Sequence, residues 1–181
     1  MTYTFNTFLD ASALISWVLY PDVKQPGGEN LHAVLDQPGC SPYTSELCLT
    51  ETLSRFKWMR FHKEITSAGY SMRTWLLHTR IRHGSLKISS FEYWEKKYFE
   101  KAITMVEDND YKIDVIDALQ ILDVTEGNFT FFAGPSKTVL ATCDSNLRKV
   151  AHKHGVRVWF PTKEAEPPPM DNKSGQLTRA Q

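Results

Sequence analysis

The 181 residues suffice for one domain with a substantial core, and 41% hydrophobic with 23% charged residues mark an ordinary soluble globular protein. Lys plus Arg equals Asp plus Glu at 21 each, so net charge gives no overall attraction to nucleic acid. No apolar run approaches the ~18 residues of a membrane span, and no membrane role is expected.

Thr4 to Leu9 reads as a buried strand ending at Asp10. Ser12 is the expected cap of a short helix, Ala13 to Tyr20, stopped by Pro21. Pro26-Gly27-Gly28 marks a loop, Asn30 to Asp36 a second short helix, and Cys40-Ser41 a short extended piece. From about Ser45 to Lys63 the pattern is helical, with Leu49, Leu53 and Phe56 on one face, and Gly69 is expected to break it. Ser71 to Ile81 forms the next expected helix, ended by Gly84. Ser90 is expected to cap a long helix to about Asp108, rich in aromatics from Phe91 to Phe99, with surface to spare for a partner chain. A helix from Ile113 to Thr125, a strand from Val139 to Thr142, a helix from Ser145 to His154 closed by Gly155, and a strand from Val156 to Trp159 complete the order. Strands separated by helices imply an α/β protein whose parallel sheet has helices on both faces. Residues 1–161 are expected to be the domain, and residues 162–181, with Pro167-Pro168-Pro169, a disordered polar tail.

Charge is unevenly spread. Thr52 to Lys87 holds eight Lys or Arg against one acid, Glu64, whereas Phe91 to Gly127 holds ten acids against four Lys. The three cysteines have no metal-ligand spacing and the N-terminus shows no export signal, so reduced thiols in a cytoplasm are expected.

Four acidic motifs stand out: Leu9-Asp10-Ala11-Ser12, Thr50-Glu51-Thr52, Asp114-Val115-Ile116-Asp117 and Thr142-Cys143-Asp144. Each sets a carboxylate at a strand end or on an apolar helix. Gathered in one pocket, these groups repel unless a divalent cation sits between them. Oxygen-only ligands suit Mg²⁺ or Mn²⁺, which points to phosphate chemistry. Each acid also has an ordinary reading. Asp10 and Asp144 serve equally as helix caps, Glu51 as a solvated glutamate competing with Glu46, and Asp114 and Asp117 as an acidic stripe on a surface helix. Ser12 and Thr142 either orient a ligand or water by hydrogen bonds or make ordinary strand-end bonds.

The order of these motifs resembles the PIN-domain nucleases, most closely the VapC-like toxins of bacterial and archaeal toxin–antitoxin pairs. The matching segments are Leu9 to Leu14, Glu46 to Leu53, Asp114 to Ile121, Thr142 to Leu147 and Gly155 to Val158, within residues 4 to 160. The resemblance implies a PIN-like three-layer α/β/α fold. It implies Asp10, Glu51, Asp117 and Asp144 as the catalytic, metal-binding quartet, with Asp114 as an accessory acid. It further implies Mg²⁺ or Mn²⁺, hydrolysis of RNA to 5′-phosphate and 3′-hydroxyl ends, a homodimer and an antitoxin partner. The chain departs from typical members in its stretched middle, residues 66 to 112, its polar tail and its neutral charge. On this reading Arg55, Lys57, Arg60, Lys63, Arg73, Arg80 and Arg82 engage the RNA backbone, and Trp58, Phe61 and Trp75 either stack on bases or serve as core or dimer contacts. The alternatives are a PIN-like module that binds RNA or protein without cutting, and a PIN nuclease of RNA processing unrelated to toxin–antitoxin pairs. A dehalogenase-like phosphotransferase would need an acid where Ser12 stands, and a receiver domain would need acids where Asn6 and Thr7 stand.

Overall fold

The computed structural model describes residues 5–127 and 138–168. Five strands, β1 (Phe5–Leu9), β2 (Cys40–Ser45), β3 (Lys87–Ser89), β4 (Thr138–Ala141) and β5 (Val158–Trp159), pair in parallel in the order β3-β2-β1-β4-β5. The helices are α1 (Ala11–Leu19), α2 (Gly28–Leu35), α3 (Glu46–Phe61), α4 (Ser67–Arg82), α5 (Lys96–Asp108), α6 (Val115–Glu126) and α7 (Ser145–Lys153).

Strand alternation divides the core in two. Leu9, Val139, Ala141 and Trp159 pack with α1, α2, α4 and the later turns of α3. Phe8, Leu140 and Val158 face the other way, into a cluster with α5, α6 and α7. Successive side chains of one strand thus feed opposite layers, and the expected three-layer α/β/α arrangement is present. Both faces of the sheet are covered, and polar strand residues such as Thr7, Thr44, Ser45 and Ser89 are buried along with the apolar ones.

Several boundaries differ from expectation. Asp10, not Ser12, caps α1, because its carboxylate accepts from the Ala13 N–H. Gly69 lies inside α4, whose cap is Thr66. The segment after Ser90 is not yet helix: β3 precedes it, α5 begins only at Lys96, and Phe91 and Tyr93 are buried in the stretch between. The three residues of β3 are too few to display an alternating pattern. The domain also continues past residue 161. Glu164 accepts from Arg148 and from the Phe160 N–H, and Arg157 donates to the Pro168 carbonyl. The rest of the expected tail, residues 169–181, lies outside the described residues.

The connectivity positions the site. From β1 the chain moves outward to β2 and β3, then returns through α5 and α6 to β4 on the other flank of β1. Strand order reverses at the β1–β4 boundary, and in open parallel sheets ligands bind beyond the carboxyl ends of the strands at such a reversal.

Candidate functional site

At that reversal Asp10 leaves β1 and Asp144 follows β4. Asp10 is 3% exposed. Its Oδ1 accepts from the Ala13 N–H at 2.7 Å, and its Oδ2 from the hydroxyls of Thr142 at 2.6 Å and Ser12 at 2.8 Å. Both hydroxyls are themselves held. Ser12 accepts from the Cys143 N–H at 2.8 Å, and Thr142 accepts from the Asp144 N–H at 2.9 Å. A closed hydrogen-bond lattice thus locks the two strand ends and fixes the Asp10 carboxylate. Ser12 and Thr142 act on Asp10 itself, which sequence spacing alone could not distinguish from ordinary strand-end bonding.

Asp144 caps α7, its Oδ1 accepting from the N–H groups of Asn146 and Leu147 at 2.5 and 3.1 Å. Asp114 caps α6, and with Asp117 it forms a reciprocal capping box rather than a pair on one helix face. The Asp117 N–H donates to Asp114 Oδ1 at 2.9 Å, and the Asp114 N–H to Asp117 Oδ2 at 3.4 Å. The ordinary reading of Asp10, Asp144 and Asp114 as caps is therefore correct as far as it goes. Capping does not account for their common location: α1 and α7 start at the carboxyl ends of the adjacent strands β1 and β4, and Asp117 in the first turn of α6 feels the charges of Asp10 and Asp144. Glu51, in the second turn of α3, joins from the β2 side.

The acids feel one another. Burial, offset by the hydrogen bonds from Thr142, Ala13 and Ser12, pushes Asp10 up to about 6, with the charge of Glu51 adding to the rise. Asp117 is pushed up to about 7, by burial first and then by the charges of Asp114, Asp10 and Asp144. Burial and Asp114 raise Glu51 as well. Among the described residues none of these five acids has an ion-pair partner, although nine ion pairs form elsewhere. The donor set, all oxygen and uncompensated in charge, fits a hard divalent cation. The carboxylates nevertheless stand apart: among the described residues no three His, Cys, Asp or Glu side chains are grouped so as to hold a metal ion. Cys143 lies between Thr142 and Asp144, but burial pushes its thiol up to about 12, so it is no thiolate nucleophile at neutral pH.

The expected RNA-facing set divides. Arg55, Lys57 and Arg60 on α3, Lys63 just after it and Arg82 at the end of α4 are exposed. Arg73 is buried and paired with Asp22, and Arg80 is mostly covered, bonded to Asp36 at 3.0 Å and stacked over Trp17 at 3.9 Å. These two arginines hold α4 to the body of the domain. Trp58, Phe61 and Trp75 are exposed rather than core residues.

Sequence reasoning missed Asp123. It is wholly buried on α6, with Ser89 Oγ at 3.3 Å and the Tyr93 hydroxyl at 3.4 Å, and burial pushes it up to about 7. The signal was present, an acid between Leu122 and Val124 in a helix buried nearly all round. Asp123 ties β3 and the segment after it to the helix that presents Asp117. The folded state keeps this proton while the unfolded chain has lost it, so the group's stabilising effect fades as pH rises from about 4 to about 7. Asp123→Asn is expected to flatten the fall in stability over that interval by up to ~1.4 kcal/mol per pH unit. Urea unfolding at several pH values measures this, and an unchanged slope would contradict it.

The molecule is thus a three-layer α/β protein with a set of coupled carboxylates at the switch point of its parallel sheet. No protein-family model matches the chain, and no curated protein matches it significantly. No helix among the described residues is long and apolar enough to cross a membrane.

Proposed function

We propose that the protein is a PIN-like, metal-dependent endoribonuclease of the VapC kind, hydrolysing RNA phosphodiester bonds with Mg²⁺ or Mn²⁺ as the toxin of a type II toxin–antitoxin pair. The observation that carries this reading is the coupling of Asp10, Glu51, Asp117 and Asp144, drawn from four separate elements, none of them ion-paired with a Lys, Arg or His among the described residues. Asp10 and Asp144 would hold the metal directly. Asp117 and Glu51 would complete the site directly or through water, and one of the two would help position or deprotonate the attacking water. A divalent cation bound there supplies Lewis acidity toward the phosphate and makes water a better nucleophile at neutral pH. Ser12 and Thr142 keep the Asp10 carboxylate from rotating, and Asp114 restrains Asp117 through the capping box. A cytoplasmic homodimer inhibited by an antitoxin belongs to the same proposal.

The spread of the acids also favours a second reading, a PIN-like module that binds RNA or protein without cutting it. Incubation of the purified chain with a generic RNA separates the two. The nuclease reading expects cleavage with Mn²⁺ or Mg²⁺ and none with EDTA, and intact RNA under every metal condition would favour the binding module.

A further inference from the structure

Arg148 stands four residues after Asp144, and its backbone N–H donates to the Asp144 carbonyl at 3.1 Å. On a helix an acid followed four positions later by a base is the favoured order for an ion pair, with Cβ atoms ~5–6 Å apart. Here the pair does not form. Asp144 is exposed, its Oδ1 accepts from the N–H groups of Asn146 and Leu147, and its Oδ2 accepts no bond among the described residues. The Arg148 guanidinium turns elsewhere. It donates to Glu164 Oε1 at 2.9 Å and lies 4.8 Å from the centroid of the Phe160 ring.

Glu164 is anchored at both ends. The Lys163 and Glu164 N–H groups donate to the Phe160 carbonyl at 3.0 Å, closing a turn just after β5. Glu164 Oε2 accepts from the Phe160 N–H at 2.9 Å, and the Glu164 carbonyl accepts from the indole of buried Trp159 at 3.0 Å. Arg148 therefore meets a carboxylate already fixed in place, which lowers the ordering cost of the pair. The alternative partner matters. A guanidinium bonds a carboxylate strongly, and on Asp144 it would take the remaining oxygen and cancel the charge that a cation needs. We propose that Glu164 is a positioning residue that keeps Arg148 off Asp144, leaving that carboxylate open to the divalent cation. The benefit to the cation rests on the metal-dependent nuclease reading, whereas the restraint on Arg148 does not.

A double-mutant cycle read by calorimetric titration with Mn²⁺, together with a crystal structure of Glu164→Gln, tests the restraint. Glu164→Gln keeps one oxygen for the Phe160 N–H and offers Arg148 no charge. It is expected to weaken Mn²⁺ binding about 2- to 5-fold, the scale of an exposed ion pair newly formed with Asp144. Glu164→Ala should act in the same direction. Arg148→Gln alone is expected to change affinity by under about 2-fold, but added to Glu164→Gln it should restore the lost 2- to 5-fold or so. Long-range charge by itself would give Arg148→Gln the same effect in both backgrounds, and that result would overturn the proposal. In the Glu164→Gln crystal the Arg148 guanidinium is expected within ~4 Å of the Asp144 carboxylate. A guanidinium still lying over Phe160 would also overturn the proposal. Failure of the nuclease reading looks different: Arg148 would cross to Asp144 in the variant, upholding the restraint, while none of the four proteins bound Mn²⁺.

Discussion

Asp117→Asn and Asp10→Asn, made separately, are each expected to reduce Mn²⁺-dependent RNA hydrolysis by roughly 10³-fold, the loss of several kcal/mol of charge stabilisation in the transition state. Asp117→Asn is also expected to make the metal-free protein more stable at pH 8, by about 1–3 kcal/mol, because it removes a carboxylate that burial and three neighbouring acids hold up at about 7. The combination is diagnostic. A residue kept only to cap a helix or fill space would lose stability on substitution, not gain it. Asp10→Asn should gain less, because three donors currently satisfy the carboxylate. Single-turnover cleavage assays and thermal melts of the same preparations read both effects. Full activity in either variant would remove that residue from the site.

The second large effect is structural and reaches the same cleft. Trp159 is wholly buried on β5 in the layer with α1 and α4. Its carbonyl accepts from the Thr142 N–H at 3.1 Å, and its indole N–H donates to the Glu164 carbonyl at 3.0 Å. Trp159→Ala is expected to cost about 3–5 kcal/mol through lost burial and the cavity left behind. At 2–4 °C per kcal/mol for a chain of this size, the melting temperature should fall by roughly 6–20 °C. Thr142, which bonds Asp10, would keep its bond to the carbonyl of residue 159, but the strand carrying that carbonyl would lose the indole that packs it against α1 and ties it to Glu164. Activity measured well below the new melting temperature should therefore fall as well. A shift under roughly 3 °C would mean that β5 contributes little to holding the switch point.

The sequence displayed the acids more clearly than their surroundings. Asp10 and Asp144 could be assigned to strand ends because Phe8-Leu9 and Val139 to Ala141 are short apolar runs feeding both faces of a parallel sheet. Asp117 was legible from the apolar residues of its own helix. The lattice of Ser12, Thr142 and the Cys143 and Asp144 N–H groups was not, because it depends on β1 pairing with β4 across more than 130 positions of sequence. The same limit hid Asp123, whose partners Ser89 and Tyr93 come from a three-residue strand and the loop after it. Charge runs misled in one respect. Arg73 and Arg80 read as part of a basic surface, yet one pairs with Asp22 inside the fold and the other spans Asp36 and Trp17. A one-dimensional charge count cannot tell a cation turned inward from one facing water.

Isothermal titration of the metal-free protein with Mn²⁺ tests the central claim most directly. Saturable binding is expected, tighter at pH 8 than at pH 6 because protons on Asp10 and Asp117 compete with the cation, and weakened roughly tenfold or more by Asp10→Asn or Asp117→Asn. No heat of binding with Mn²⁺ or Mg²⁺, or binding that both substitutions leave untouched, would contradict a metal site in this cleft.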